Sequence, residues 1–490
     1  MDLYALAAFL TYFTILVTIG VIAHQRLRTS ADFILGNRSL NFWLTALSAH
    51  ASDMSAWLFM ALPAAVMLGG LSQSWIAFGL LLGMFLNWQY IAKKLRQETE
   101  RYQSYTLSSY FESRFNDRSG TIRLLTASMA LIFLTCYLSA GMIAMGRLFE
   151  SVFGIDYYMG LTIALFVVVF YTSFGGFTTI AWIDLFQALF LLFIIVFVPV
   201  MAYIHLPNGL ETIAQAAAVQ DIQTGFFHKI SATSYGSILL PILGWGLGYF
   251  GMPHILTKFM GIKNPEEINK SKYVGMAWQV VALTGSVAIG FVAIGFFNEP
   301  LDNPELLFID IVQSLFHPFS ASFIICAILA ANMSTMDSQI LVCSSILSED
   351  LYKHMFHSHA SSKELLLVSR IGVVLVSFIS LAIAFSNNSS ILDTVLYAWS
   401  GLGCSFGPLV LAALYSKHAN RQGAIAGIIL GGVTAGIWPL INHRLFELEI
   451  PSMIPGFTVS LLSIALFSYL TAKPALAGTV NGKGLRQDKS

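Results

Sequence analysis

The chain has 490 residues, 56% of them hydrophobic and 11% charged, with 26 lysines and arginines balancing 26 aspartates and glutamates and a mean hydropathy of +0.72. That composition excludes a soluble globular protein, and zero net charge without a basic block excludes a nucleic-acid surface. Apolar runs of ~20 residues recur from end to end, which is the mark of a polytopic helical membrane protein in a lipid bilayer.

The first run, Leu3 to Ala23, has Asp2 and no basic residue before it, while Arg26 and Arg28 follow it. A cleaved signal has the opposite charge order, so this run reads as a first span with the N-terminus outside. Further spans are predicted at 42–68, 73–92, 123–146, 157–174, 179–204, 235–257, 274–297, 318–347, 364–386, 390–415, 423–442 and 450–472, about thirteen in all. With that alternation, every lysine and arginine except Arg147, Lys229 and Arg444 falls in an inside segment, Lys258 opening one of them. Such a bias supports the span count, the outside N-terminus and an inside C-terminus. Leu107 to Phe115 reads as a short surface helix in the long inside loop. Arg147 and Glu150, at i and i+3, are expected to pair, and Asp393 to sit at the interface. The four cysteines (Cys136, Cys326, Cys343 and Cys404) fit neither a metal site nor a disulfide framework and read as small buried hydrophobes.

Three polar clusters interrupt the spans. The first is Ala49-His50-Ala51-Ser52-Asp53-Met54-Ser55-Ala56-Trp57, halfway along the second span. An ionisable group at that depth marks a functional site unless it only braces a helix. The second is Gly244 to Pro253 in the seventh span, where four near-alternate glycines and a proline weaken a helix. Freed backbone groups lining a cavity and a tight helix crossing are equally compatible with it. The two segments are five spans apart, an odd number, as in the inverted repeats of secondary transporters. The third is Ala331 to Gln339 in the ninth span, where Ala331, Ser334 and Thr335 share a helix face. Two hydroxyls and a carbonyl there, with the Ala51 and Met54 carbonyls from the broken second span, make about five neutral oxygen ligands. That set suits Na⁺ better than a divalent ion. The alternative for Ser334 and Thr335 is a hydroxyl bonded back to the preceding turn. Asp184, early in the sixth span, is either a structural partner or part of an ion path. Trp57, Tyr137, Trp245 and Tyr249 are the aromatics suited to a cavity, with packing as the alternative for each. Intramembrane acids and histidines do not pair at catalytic or metal spacing, so the chain is not read as an enzyme. No phosphate-cradling loop supports ATP use.

On these stretches the chain resembles the sodium/solute symporter family, especially its bacterial proline-carrying branch. The resemblance rests on Ala51 to Ser55 with Trp57; Gly146 to Ser151; Gly175-Gly176-Phe177 with Trp182 and Asp184; Gly244 to Phe250 with Pro253 to Leu256; Met333-Ser334-Thr335 with Gln339 and Leu341 to Ser345; and Gly423-Ala424 with Gly427. It implies an all-α membrane protein of about thirteen helices. A 1–40 extra helix and inside loop precedes a first five-helix repeat (41–204) and an outside loop (205–234). An inverted second repeat (235–415), two further helices (416–472) and a disordered cytoplasmic tail (473–490) complete it. It also implies alternating access in a bacterial inner membrane and Na⁺-driven uptake of L-proline, with no organic cofactor and no obligatory protein partner. Na⁺ would be held by Ala51, Met54, Ala331, Ser334 and Thr335, with Asp53 and Asp184 serving ion coupling. The substrate would meet Ser55, Trp57, Tyr137, Trp245, Tyr249 and Pro253. His50, Ala56, Met252 and Asp337 depart from the family pattern. They leave open another small substrate, such as a different amino acid or pantothenate, or proton coupling through Asp53, Asp337 and His50. A membrane sensor is a further reading, disfavoured by the short segment after Thr471.

Overall fold

The computed structural model describes residues 3–23, 30–174, 176–227, 232–297, 299–386, 390–445 and 450–472. Arg26, Arg28, Gly175, Lys229 and the 473–490 tail lie outside the described residues. The elements are helical throughout: α1 Leu3–Ala23, α2 Ser30–Leu35, α3 Phe42–Ala51, α4 Ala61–Gly69, α5 Trp75–Leu86, α6 Lys93–Arg101, α7 Leu107–Arg114, α8 Thr121–Phe153, α9 Tyr157–Phe174, α10 Phe177–Ile204, α11 Leu210–Val219, α12 Ala232–Gly246, α13 Pro253–Met260, α14 Ile268–Phe296, α15 Leu307–Leu315, α16 Pro318–Ser345, α17 Ser362–Ser386, α18 Ile391–Tyr415, α19 Arg421–Leu445 and α20 Met453–Leu470. Among the described residues the only strand-like feature is an isolated bridge between Leu40 and Ile262.

Ten of these helical stretches are long and apolar enough to cross a membrane, or eleven if one bent pair counts as a single span. The lower number has a physical cause. The predicted second span is broken after α3, which is too short alone, and its second half runs on with the third in a single stretch, Ala56–Arg101; the fifth counts only as a shorter apolar helix, Tyr157–Val169. The seventh bends by 48° between Gly236–Gly251 and Pro253–Met260. Helix ends also run past the apolar limits. The third span continues through a π turn at Asn87–Ala92 into the polar α6, and α8 extends to Phe153. The predicted surface helix is present as α7, opened by a capping box in which Thr106 accepts from Ser109 N.

The glycines of the seventh segment serve both a break and a close packing. A Cβ on Gly246 would lie 2.7 Å from the Gly79 carbonyl oxygen, and one on Gly248 only 2.0 Å from the Trp399 indole nitrogen. Small residues there let α12 approach α5, and let the turn after it approach α18. At the centre, α16 packs on α10, α8, α1 and α17, while α10 also meets α3 and α14. These buried elements carry the polar clusters.

Candidate functional site

The site begins where α3 stops. After Ala51 no α-helix resumes until Ala61, and a single 3-10 turn at Ala56–Leu58 fills the gap. Ser52, Asp53, Met54, Ser55 and Trp57 are all buried there. Across from this break stands α16. The Thr335 hydroxyl oxygen lies 3.4 Å from the Ala51 carbonyl oxygen and 3.2 Å from that of Ala331. Ser52 Oγ meets Ser338 Oγ at 2.8 Å, a second tie between the same elements. Ala51 and Thr335 are thus brought together across the break, while the Thr335 contact with Ala331 is the bond back to the preceding turn that is the alternative reading of this hydroxyl. Met54 is buried in the same break.

Ser334 turns to Asp184. Its hydroxyl donates to Asp184 Oδ1 at 2.6 Å, which leaves the oxygen lone pairs free. Asp184 Oδ2 accepts from Ser48 at 2.5 Å and from the Lys258 ammonium at 3.0 Å. One carboxylate on α10 therefore joins α3, α13 and α16. Lys258 corrects the sequence reading: it is not in an inside loop but on α13, 1% exposed. The available signal is its spacing: Lys258 lies four residues after His254, on the same face of any helix that continues past Pro253. The predicted seventh span, 235–257, stops one residue short of it.

Asp53 sits on the other side of the break. Its Oδ2 accepts from the Tyr249 hydroxyl, which itself accepts from Gln279 Nε2 at 3.0 Å. The Trp57 indole donates to the Asp53 carbonyl at 3.2 Å. The Trp57 and Trp245 rings lie 6.2 Å apart, Trp245 and Trp399 also 6.2 Å, and Tyr249 meets Trp399 edge-on at 5.1 Å. Trp399 fixes the break in turn, donating to the Trp245 carbonyl at 2.9 Å, while Asn87 Nδ2 donates to that of Tyr249 at 2.9 Å. Tyr137 is buried on α8 with its ring against His254, and Pro253 opens α13 directly after the break. Ser55 is buried at the start of the 3-10 turn. The structure thus brings the expected aromatics to the two breaks, and adds Trp399, Gln279, Asn87 and His254, which sequence reasoning did not single out.

The departures fall in separate places. His50 accepts from the Trp88 indole at 3.1 Å and lies between Trp88 and Trp278, in space left by Gly275. Asp337 turns to α9 and accepts from Thr172 Oγ1 at 2.5 Å. Ala56 and Met252 are buried at the two breaks. Arg147 is held by Glu305, a partner that the i, i+3 spacing to Glu150 did not anticipate. Glu305 also accepts from the Ile391 backbone amide at 3.0 Å, so one acid ties α8 to α18.

The sodium:solute symporter family model matches residues 33–431. The chain belongs to that family. It is 42% identical over 468 residues to the high-affinity proline transporter PutP of Bacillus subtilis (strain 168), covering 95% of this chain and 98% of the relative. It is 40% identical over 483 residues to the sodium/proline symporter of Escherichia coli (strain K12), covering 96% and 94%. Among solved structures, a Na⁺-coupled sialic acid symporter in a substrate-bound outward-open state superposes with a TM-score of 0.80 at 18% identity, over 96% of this chain and 98% of that one. MhsT in complex with L-phenylalanine superposes at 0.56 and 13% identity, over 88% and 98%. At those identities the likeness is one of fold, and the family member described here is an all-α membrane bundle of that fold.

Proposed function

We propose that this family member is a secondary active transporter that carries Na⁺ and L-proline together by alternating access. The observation that carries the reading is the Thr335 hydroxyl set between the Ala51 and Ala331 carbonyls, where a broken helix meets an intact one. Ala51, Met54, Ala331, Ser334 and Thr335 hold the ion. All are neutral oxygen donors, the chemistry that a weakly bound monovalent cation takes. Asp53 and Asp184 flank this set and couple it to the two broken helices. Ser55, Trp57, Tyr137, Trp245, Tyr249 and Pro253 line the substrate cavity. A small imino acid suits a cavity with aromatic walls, and helix breaks offer backbone groups to its charged ends. The names of the two relatives, at about two identical residues in five over nearly the full length, support proline as the substrate.

The division into a first repeat at 41–204 and an inverted second at 235–415 is part of this reading. So are thirteen spans, an outside N-terminus, an inside C-terminus and a bacterial inner membrane. The charge bias of the loops supports that orientation. The two breaks, in α3–α4 and α12–α13, support the repeat. No organic cofactor or obligatory protein partner is needed. The membrane potential contributes ~2.3 kcal/mol per charge per 100 mV to inward Na⁺ movement.

The test is uptake of radiolabelled L-proline into proteoliposomes under an inward Na⁺ gradient, with K⁺ in its place at matched pH as the control. Uptake that requires Na⁺ is expected. Uptake driven equally by a proton gradient alone would overturn the coupling ion, and no uptake under either gradient would overturn the substrate.

A further inference from the structure

His254 is the second residue of α13, directly after the Pro253 break, and is fully buried. Neither of its ring nitrogens has a hydrogen-bond partner among the described residues. The other histidine buried at the site, His50, is held at Nε2 by Trp88 and leaves only its Nδ1 without a partner, whereas both nitrogens of His254 are unmet. A histidine ring carries at least one N–H, and leaving such a donor unpaired in the interior costs ~1–3 kcal/mol. The His254 ring stands edge-on to Tyr137, with centroids 5.9 Å apart and planes at 88°. Across the same region Asp53 Oδ1 is also buried without a partner, although its Oδ2 is satisfied by Tyr249. One break thus presents an unmet donor and the other an unmet acceptor, in a span centre that has no bulk water to satisfy them.

We propose that His254 is a substrate-contacting, specificity-determining residue: it donates a ring N–H to the carboxylate of the bound amino acid, while Asp53 Oδ1 accepts from its ammonium group. The inference rests on the amino-acid symport reading and gives the zwitterion a polarity between the two breaks. The carboxylate lies toward α13, and the ring of the substrate lies against the Trp57, Trp245 and Tyr249 walls. A hydrogen bond to a carboxylate is roughly twice as strong as one to a neutral amide oxygen, so such a donor favours the amino acid over its amide.

The experiment uses the full chain in proteoliposomes, as wild type, His254→Phe and His254→Gln. Two quantities are read: KM for Na⁺-driven L-proline uptake, and the preference for L-proline over L-prolinamide, which lacks the carboxylate, measured by inhibition. His254→Phe keeps an aromatic ring and removes the nitrogens. Its KM is expected to rise about tenfold or more, the scale of a lost hydrogen bond to a charged group. Its preference for proline over prolinamide is expected to narrow by less than the KM change, because prolinamide keeps a carbonyl oxygen that accepts from the same donor. His254→Gln retains a donor and should lie between the two. Na⁺-induced change in tryptophan fluorescence checks folding and ion binding in each variant. If His254→Phe lacks that response, the same ratio is read on His254→Gln. An unchanged KM, or a KM raised equally for proline and prolinamide, overturns the proposal and assigns the residue to packing. Failure of the wild type to take up proline is a different result, visible before any variant is made, and overturns the substrate reading instead.

Discussion

The Lys258 ammonium lies 3.0 Å from Asp184 Oδ2, with both side chains 1% exposed. The pair links the second half of one broken helix to α10, and the other oxygen of Asp184 accepts from Ser334 on α16. Breaking a buried pair by removing one partner costs ~3–5 kcal/mol, whereas removing both charges costs much less. Asp184→Asn and Lys258→Met are each expected to lower the melting temperature in detergent, and the double variant to recover most of the loss. The double variant should still need more Na⁺ for activation, because Asp184 no longer orders the Ser334 hydroxyl. Equal destabilisation by the single and double variants would show that the two side chains are not coupled.

Thr335 bridges two carbonyls that belong to different elements. Thr335→Ala removes a proposed ion ligand and the tie to the α3 break together. The half-saturating Na⁺ concentration for proline uptake should rise about tenfold or more, since each ~1.4 kcal/mol lost is a factor of ten. Thr335→Ser retains the hydroxyl and should stay near the wild-type value. Titrating Na⁺ against tryptophan fluorescence separates the ion effect from substrate affinity. A Thr335→Ala curve that overlays the wild type would remove Thr335 from the ion site.

Tyr249 belongs to the proposed substrate wall and joins Asp53 to Gln279. Its hydroxyl donates to Asp53 and accepts from Gln279, so Tyr249→Phe unpairs two buried groups at once. Such orphaned groups cost ~1–3 kcal/mol each. The expected outcome is a KM for proline raised by about tenfold or more with Na⁺ binding retained. Trp245→Ala, which removes the ring between Trp57 and Trp399, should act in the same direction. Normal uptake kinetics in both variants would relocate the cavity.

Acid stability should depend on Asp117, in the turn before α8. Burial pushes its carboxyl up, but hydrogen bonds from Ser119, the Ile122 amide and Arg421 outweigh that and hold it at about 2, against an ordinary 3.8. A carboxyl depressed in the folded state contributes stability in full above its unfolded value and loses it as pH falls toward the folded one. The wild type should therefore lose melting temperature between pH 4 and 2 more steeply than Asp117→Asn, which lacks the titrating group. Parallel pH profiles for the two proteins would discount the ties to α8 and α19.

The positions of the helices were readable in the sequence because bilayer thickness imposes a run length that hydropathy reveals directly. The α3 break was readable for a similar reason: Ser52, Asp53 and Ser55 are out of place at that depth. Partners were not readable. The spacing of Ala331, Ser334 and Thr335 fixes a shared face, but not that Ser334 turns to Asp184, 150 residues away, while Thr335 turns to Ala51. His50 looked like a candidate titrating group, yet it is absorbed between two tryptophans in a pocket opened by Gly275. Lys258 was misplaced because a lysine after an apolar run reads as a loop charge, and only the bent helix shows that the chain is still inside the bundle there.

The crossing of α5 on α12 depends on the absence of side chains at matched positions. A Cβ on Gly83 would lie 2.1 Å from the Gly246 carbonyl oxygen, and one on Gly79 would lie 2.7 Å from the Ile242 backbone. Both obstacles are backbone, so the helices must part to admit even a methyl group. Overpacking of this kind costs ~1–3 kcal/mol, and parting them would also shift the turn that carries Tyr249. Gly83→Ala should accordingly lower both the melting temperature and the maximal rate of Na⁺-driven uptake. Gly225 offers the contrast, since its nearest neighbour atom would lie 3.7 Å from an added Cβ. Gly225→Ala should leave both quantities close to wild type. If Gly83→Ala matched Gly225→Ala in both measurements, the close approach of α5 and α12 would not be what holds the seventh-span break in place.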